Sequence, residues 1–150
     1  APPEAVPDTV STLCVAGDLV MHIPIINSCR KDDGYDFTGL FDEARPYYES
    51  ADYAAACIET TFNGPPYSGF PQFCAPDQLA GDLKSVGLDL LSTASNHSLD
   101  TWFSGLTRTL DVLDEAGLDH VGTYRTQEER ARTIAAEREA GHQCKIGLDK

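Results

Sequence analysis

The feature that most constrains this chain is a unit that recurs along it: a short apolar run, a polar group closing it, then a stretch with helical spacing. Thr12-Leu13-Cys14-Val15-Ala16 is stopped by Gly17-Asp18. Tyr53-Ala54-Ala55-Ala56-Cys57-Ile58 ends at Glu59, and Leu88 to Thr93 runs into Ala94-Ser95-Asn96-His97. Apolar runs this short, without polar alternation, suit strands buried on both faces. Between them Phe37 to Ser50 carries Phe37, Leu40, Phe41, Ala44 and Tyr48 at helical spacing, with Pro46 as a potential break. Pro76-Asp77 opens a helix through Leu79, Leu83 and Val86 that Gly87 stops. A longer helix is expected from Thr101 to Ala116, with Trp102, Leu106, Leu110 and Leu113 inward and Gly117 as its stop. His120-Val121-Gly122 reads as a fourth strand, Thr126 to Ala140 as a helix opened by a capping box, and Gln143 to Leu148 as a fifth strand. Pro24 to Asp36 and Asn63 to Pro71 read as loops, Asp32-Asp33-Gly34-Tyr35-Asp36 lacking the spacing of a calcium loop. The alternation predicts an α/β domain whose mainly parallel sheet has helices on both faces.

Composition narrows the partners. The 150 residues make about one domain, and 11 basic against 24 acidic residues leave a net charge of −13. That balance argues against nucleic acid or an anionic bilayer bound through a basic patch. It also sets a problem for any anionic substrate, which a metal cation solves most simply by reversing the local field. No apolar run approaches the length of a membrane span. Five cysteines without a CxxC exclude a Cys-rich zinc site; Cys14, Cys57 and Cys144 read as small core residues, and Cys29 and Cys74 could pair in an exported protein. Residues 1–11 read as a Pro-rich linker left after an N-terminal piece was removed, and 12–150 as the N-terminal portion of a larger domain.

Ligands of an open parallel sheet bind beyond the carboxyl ends of its strands. Asp18, Glu59, Asn96 and His97 each follow an apolar run, so all are expected on one edge. Carboxylate and amide oxygens take hard divalent metals, and imidazole widens the choice to manganese, zinc or iron. An Asn amide can instead orient a phosphate. Plainer roles exist for each: Asp18 as a turn residue, Glu59 as a solvated loop acid, Asn96-His97 as an ordered turn. Asp100 is read first as the N-cap of the following helix and only second as a partner of His97. His22, four residues past Asp18, could reach the same edge, whereas His120 and His142 have no expected site role.

Ala16-Gly17-Asp18-Leu19-Val20-Met21-His22, Ala51-Asp52-Tyr53 leading to Ile58-Glu59-Thr60-Thr61, Gly69-Phe70-Pro71 with Ala75-Pro76-Asp77, and Gly87 through Asn96-His97-Ser98-Leu99-Asp100 together resemble the bacterial capsule-synthesis CapA family. That family is the poly-γ-glutamate capsule biosynthesis group within the calcineurin-like metallophosphoesterase superfamily. The likeness runs over about residues 12–146. It implies a four-layer α/β sandwich with a metal site on an extracellular, membrane-anchored protein. It also implies metal ligation by Asp18, Glu59, Asn96 and His97, with Asn96 and His97 in catalytic roles. Cys57 and Ser95 stand where the family usually has Asn.

Two functions follow as expectations. One is metal-assisted hydrolysis or transfer at a phosphate or similar anionic group in capsule synthesis, with Mn, Zn, Fe or Mg as cofactor. The other is a non-catalytic subunit that binds an anionic polymer within a membrane capsule synthesis and export complex, using Tyr67, Phe70 and Phe73 of the loop from Phe62 to Pro76. Self-packing of that loop is its plainer reading.

Overall fold

The computed structural model describes residues 10–139. Its centre is a four-stranded parallel sheet in the order β1 (Leu13–Leu19), β4 (Tyr53–Ile58), β5 (Leu90–Ser92), β6 (Asp119–Val121). Helices join these strands: α2 (Arg45–Ser50) precedes β4, α3 (Gln78–Ser85) precedes β5, and α4 (Trp102–Ala116) precedes β6. A helix α5 (Gln127–Glu139) follows. The class is therefore α/β, as the alternation of runs predicts. The fifth strand expected at Gln143 to Leu148 lies outside the described residues.

Among the described residues the sheet has a filled face and a bare one. Ala54, Ala56 and Ile58 of β4 and Leu91 of β5 are buried and pack with Tyr48, Leu79, Leu83, Val112 and Leu113 from the three connecting helices. The alternate residues point the other way: Val15 is exposed, and Ala55, Cys57, Leu90 and Ser92 are half-buried. Alternation along a strand assigns the two sets to opposite faces.

Register is regular from Leu13↔Tyr53 to Val15↔Ala55, then resumes at Asp18↔Cys57, three steps along β1 against two along β4. That extra residue is a β-bulge. In an unbroken register Gly17 would lie opposite Cys57 and Asp18 would point to the filled face. The bulge instead turns Asp18 onto the bare face, beside Cys57. Asp18 thus sits within β1 rather than in a turn after it.

Several local expectations are corrected. The predicted loop from Pro24 to Asp36 holds a short helix α1 (Ile23–Ser28) and a hairpin of β2 (Arg30–Lys31) and β3 (Gly34–Tyr35). Pro24 lies in the first turn of α1 and Pro46 in the first turn of α2, where a missing N–H costs no helical bond, so Pro46 starts a helix instead of breaking one. The segment before it is a 3-10 turn, Thr38–Phe41. At the start of α4, Thr101 is the N-cap position and the Asp100 carboxylate is used elsewhere. Trp102, expected inward, is 77% exposed with φ 65°, a left-handed conformation that is costly for a bulky residue. Gly117 closes α4 at φ 71°, the conformation for which glycine is favoured.

The α5 capping box forms with a shift. Thr126 Oγ1 accepts from Glu129 N at 3.0 Å, while the Glu129 carboxylate reaches back to the backbone N–H of Arg125 rather than Thr126. Among the described cysteines, Cys14, Cys29, Cys57 and Cys74 are free thiols. Cys29 and Cys74 do not pair: Cys29 is buried at the end of α1, and the buried Cys74 thiol donates to Gly64 O at 3.4 Å.

Candidate metal centre

Three side chains from two neighbouring strands converge on the bare face at the carboxyl edge. Asp18 reaches it through the bulge, Cys57 is its register partner, and Glu59, two residues on, shares the Cys57 side. One ligand atom from each of Asp18, Cys57 and Glu59 lies within 4.8 Å of the other two. Ligand bonds to a borderline divalent metal run at ~2.0–2.2 Å for oxygen and ~2.3 Å for sulfur, so donors at tetrahedral angles on one ion stand ~3.4–3.6 Å apart. Side-chain adjustment of up to about 1 Å lets the three donors share a cation, and the donor set suits one.

Electrostatics point the same way. Asp18 is exposed, Glu59 and Cys57 are half-buried, and no backbone N–H donates to either carboxylate among the described residues. Burial, then the negative charge of Asp18 and Glu59, pushes the Cys57 thiol above its ordinary range; Ser92, its register partner on β5, opposes the shift with a hydrogen bond. Two carboxylates beside a thiol, with that thiol hydrogen-bonded to Asp18 and no backbone N–H donating to either acid among the described residues, is an arrangement that a cation relieves.

His97 stands beside this cluster, not inside it. It shares with Glu59 a cavity of about 10 Å3 that Thr60, Thr61, Thr93 and Ser98 also line, room for about one water. Its ring nitrogens are not among the donors that meet within 4.8 Å. Nδ1 lies 2.9 Å from Asp100 Oδ2, and the same oxygen accepts from Phe73 N at 2.6 Å. Asp100 is therefore the orienting partner of His97 rather than a helix cap. A carboxylate oxygen there accepts from Nδ1–H, the tautomer that keeps the lone pair on Nε2.

The turn that carries His97 is fixed from below. Ser98 Oγ donates to Thr93 O at 2.7 Å, and Ser95 Oγ accepts from His97 N at 3.1 Å. Gly122, at φ 113°, lets the end of β6 lie against Ala94, where a Cβ would collide with the Ala94 backbone. Asn96 is exposed at the tip. His22 is exposed too, and stacks edge-on against Phe73 at 5.0 Å, while His97 packs edge-on against the same ring at 4.7 Å. Both imidazoles thus pack on one aromatic ring, and His22 is not among the three donors that meet within 4.8 Å.

The loop from Phe62 to Pro76 packs on itself and on the body. Phe62 and Phe73 are buried, Tyr67 is half-buried against Tyr35, and of the loop's aromatic rings Phe70 alone, at 77%, is open to solvent. Arg108 of α4 anchors the loop by donating to Phe62 O at 2.9 Å and pairing in bidentate fashion with Asp77. Of the three aromatics expected to meet a polymer, Phe70 alone is placed to do so.

Cys57 is the residue that sequence reading assigned to the core. The signal was present: two positions before Glu59 in a strand, it shares the face of that acid. The Asp18 register could not be seen, because a bulge leaves no composition signature here.

Residues 12–148 match the family described as bacterial capsule synthesis protein PGA_cap. Two curated relatives, the uncharacterized proteins y4sH and y4uA of Sinorhizobium fredii (strain NBRC 101917 / NGR234), are each 30% identical to the chain over 138 residues. The match takes in 85% of this chain and 28% of each relative, so the chain spans little more than a quarter of their length.

Proposed function

The chain belongs to the bacterial capsule synthesis family, and from that premise we propose that it serves the building of a poly-γ-glutamate-type capsule through a divalent-metal site of phosphoesterase type. The observation that carries this reading is the meeting of Asp18, Cys57 and Glu59 within 4.8 Å on a chain of net charge −13. A cation held there, whether Mn, Zn, Fe or Mg, supplies Lewis acidity toward an anionic phosphoryl oxygen.

The protein's own groups have separable tasks in this reading. Asp18 and Glu59 hold the cation from adjacent strands. Asn96, exposed on the turn that carries His97, offers an amide N–H to a phosphate oxygen. His97, its ring fixed by Asp100 and Phe73, presents Nε2 as a metal ligand or as the atom that takes and returns a proton. The substrate is a phosphate-bearing or otherwise anionic group of the polymer or its precursor. The expected setting is the cell surface, with a membrane anchor and membrane-bound synthesis subunits as partners. No described helix is long and apolar enough to cross a membrane.

The test uses the full-length protein: metal content, phosphodiesterase and phosphomonoesterase activity, and capsule formation. Asp18→Ala and Glu59→Ala are each expected to lose metal and capsule. Both variants retaining both properties would overturn the reading.

A second reading, a polymer-binding subunit without turnover, draws on the exposed Leu99, Trp102 and Phe103 that follow the Asn96-His97 turn. Capsule formation that survives loss of the metal but fails in Trp102→Ala would select it.

A further inference from the structure

We propose that Cys57 is the third protein ligand of this site and gives it a preference for thiophilic metals over magnesium. The inference rests on the metal reading above and adds the donor that decides which metal is taken.

The geometry carries it. Cys57 lies between the two acids: Asp18 is its Cα partner on β1, and Glu59 is two residues ahead on the same side of β4. A cation shared by the two carboxylates therefore lies against the thiol, with Sγ inside the same 4.8 Å cluster. The bulge between Val15 and Asp18 produces this contact, since an unbroken register would set Gly17 opposite Cys57. The other described cysteines lie away from the cluster, Cys29 and Cys74 buried in α1 and the loop before α3, and Cys14 on the filled face.

The chemistry follows from the donor set. Magnesium favours six hard oxygen donors in octahedral geometry and keeps its waters, so a sulfur donor serves it poorly. Zinc, cobalt and cadmium take mixed sulfur and oxygen sets, and thiolate selects for the softer of them. On coordination the Cys57 S–H bond breaks, its proton goes to solvent, and the sulfur lone pair forms the metal bond. Two carboxylates and one thiolate then surround a divalent ion, leaving a net single negative charge and any further positions for water or substrate.

Cobalt(II) and cadmium(II) report sulfur ligation directly through a charge-transfer band that oxygen donors do not give. Metal-free full-length protein titrated with either ion is expected to show that band. Cys57→Ser is expected to abolish it, to weaken zinc binding by about tenfold or more, and to leave magnesium binding within about twofold of the wild type. In the unsubstituted protein, zinc is expected to shield Cys57 from alkylation while Cys14 stays unaffected, which covers the case of a variant that fails to fold.

Cobalt binding that requires Asp18 and Glu59 but shows no sulfur band would refute the Cys57 assignment and leave the metal site standing. A band that persists in Cys57→Ser would refute it as well. Absence of any divalent binding that depends on Asp18 and Glu59 would remove both the site and its third ligand.

Discussion

The two ends of the sheet use acidic residues in opposite ways. At the amino edge, acids are consumed by the fold. Asp52 accepts from Thr12 N at 2.7 Å and Thr12 Oγ1 at 2.8 Å, tying the start of β1 to β4. Asp89 accepts from the buried Ala54 N at 3.0 Å, tying β4 to β5. Asp119 accepts from Tyr53 Oη at 2.8 Å, and burial followed by this bond pushes the Tyr53 phenol up to about 12. At the carboxyl edge, Asp18 and Glu59 face each other and a thiol with no backbone donor among the described residues. Acids satisfied by N–H groups stabilise a structure by themselves, whereas acids crowded together need something from outside. The contrast separates architecture from chemistry more sharply than the identity of any single residue.

Asp100 tests the contrast hardest, because it sits at the carboxyl edge but is bonded in the manner of the amino edge. Asp100→Ala orphans the N–H of the buried Phe73 and releases His97, an expected loss of about 3 kcal/mol in chemical denaturation. A loss below about 1 kcal/mol would show that its carboxylate belongs with the unsatisfied group. Next in size is Asp89→Ala, which leaves the Ala54 N–H buried without a partner at a cost of about 2 kcal/mol by the same measurement.

Asp18→Asn, measured without added metal, is expected to stay within about 0.5 kcal/mol of the parent or to gain slightly, since it removes a repulsion and breaks no backbone bond. A clear destabilisation would dissolve the distinction between the two edges. The smallest effect concerns pH. Hydrogen bonds from the Thr12 backbone and hydroxyl hold the Asp52 carboxyl below its ordinary 3.8. A lowered folded-state value means that the contribution is complete above 3.8 and is lost as pH falls through 3.8 toward the folded value. Asp52→Asn is expected to reduce the drop in stability between neutral solution and about pH 3. An unaltered acid limb would count against the Asp52 assignment.

Most of the framework was legible in the chain because it rests on strong local signals. Tyr53–Ile58, Gln78–Ser85 and Trp102–Ala116 are apolar runs or apolar stripes bounded by Pro, Asp or Gly, and they form where those signals place them. What escaped depends on contacts distant in sequence. The helix at Ile23–Ser28 is too short to have a readable period, and its proline looks like a breaker until its place in the first turn is known. Trp102 has the spacing of a core residue, but the tight turn before it throws the ring outward. Asp100 precedes a helix and so resembles a cap; only the loop folding back to bring Phe73 N within 2.6 Å reveals its use. In the site, chain order alone brought Asp18 and Glu59 to one edge, while the proximity of Cys57 to them and the bond by which Asp100 orients His97 required coordinates.

The extra residue in β1 makes this chemistry a matter of counting. A side chain could be added at Gly17 without meeting any atom within 4 Å, so substitution at that position is sterically free. Insertion or deletion between Val15 and Asp18 is different: one residue more or fewer reverses the parity of everything after it and sends the carboxylate through to the packed side. Spacing in this short stretch is therefore expected to be held more tightly among related chains than the identities it contains.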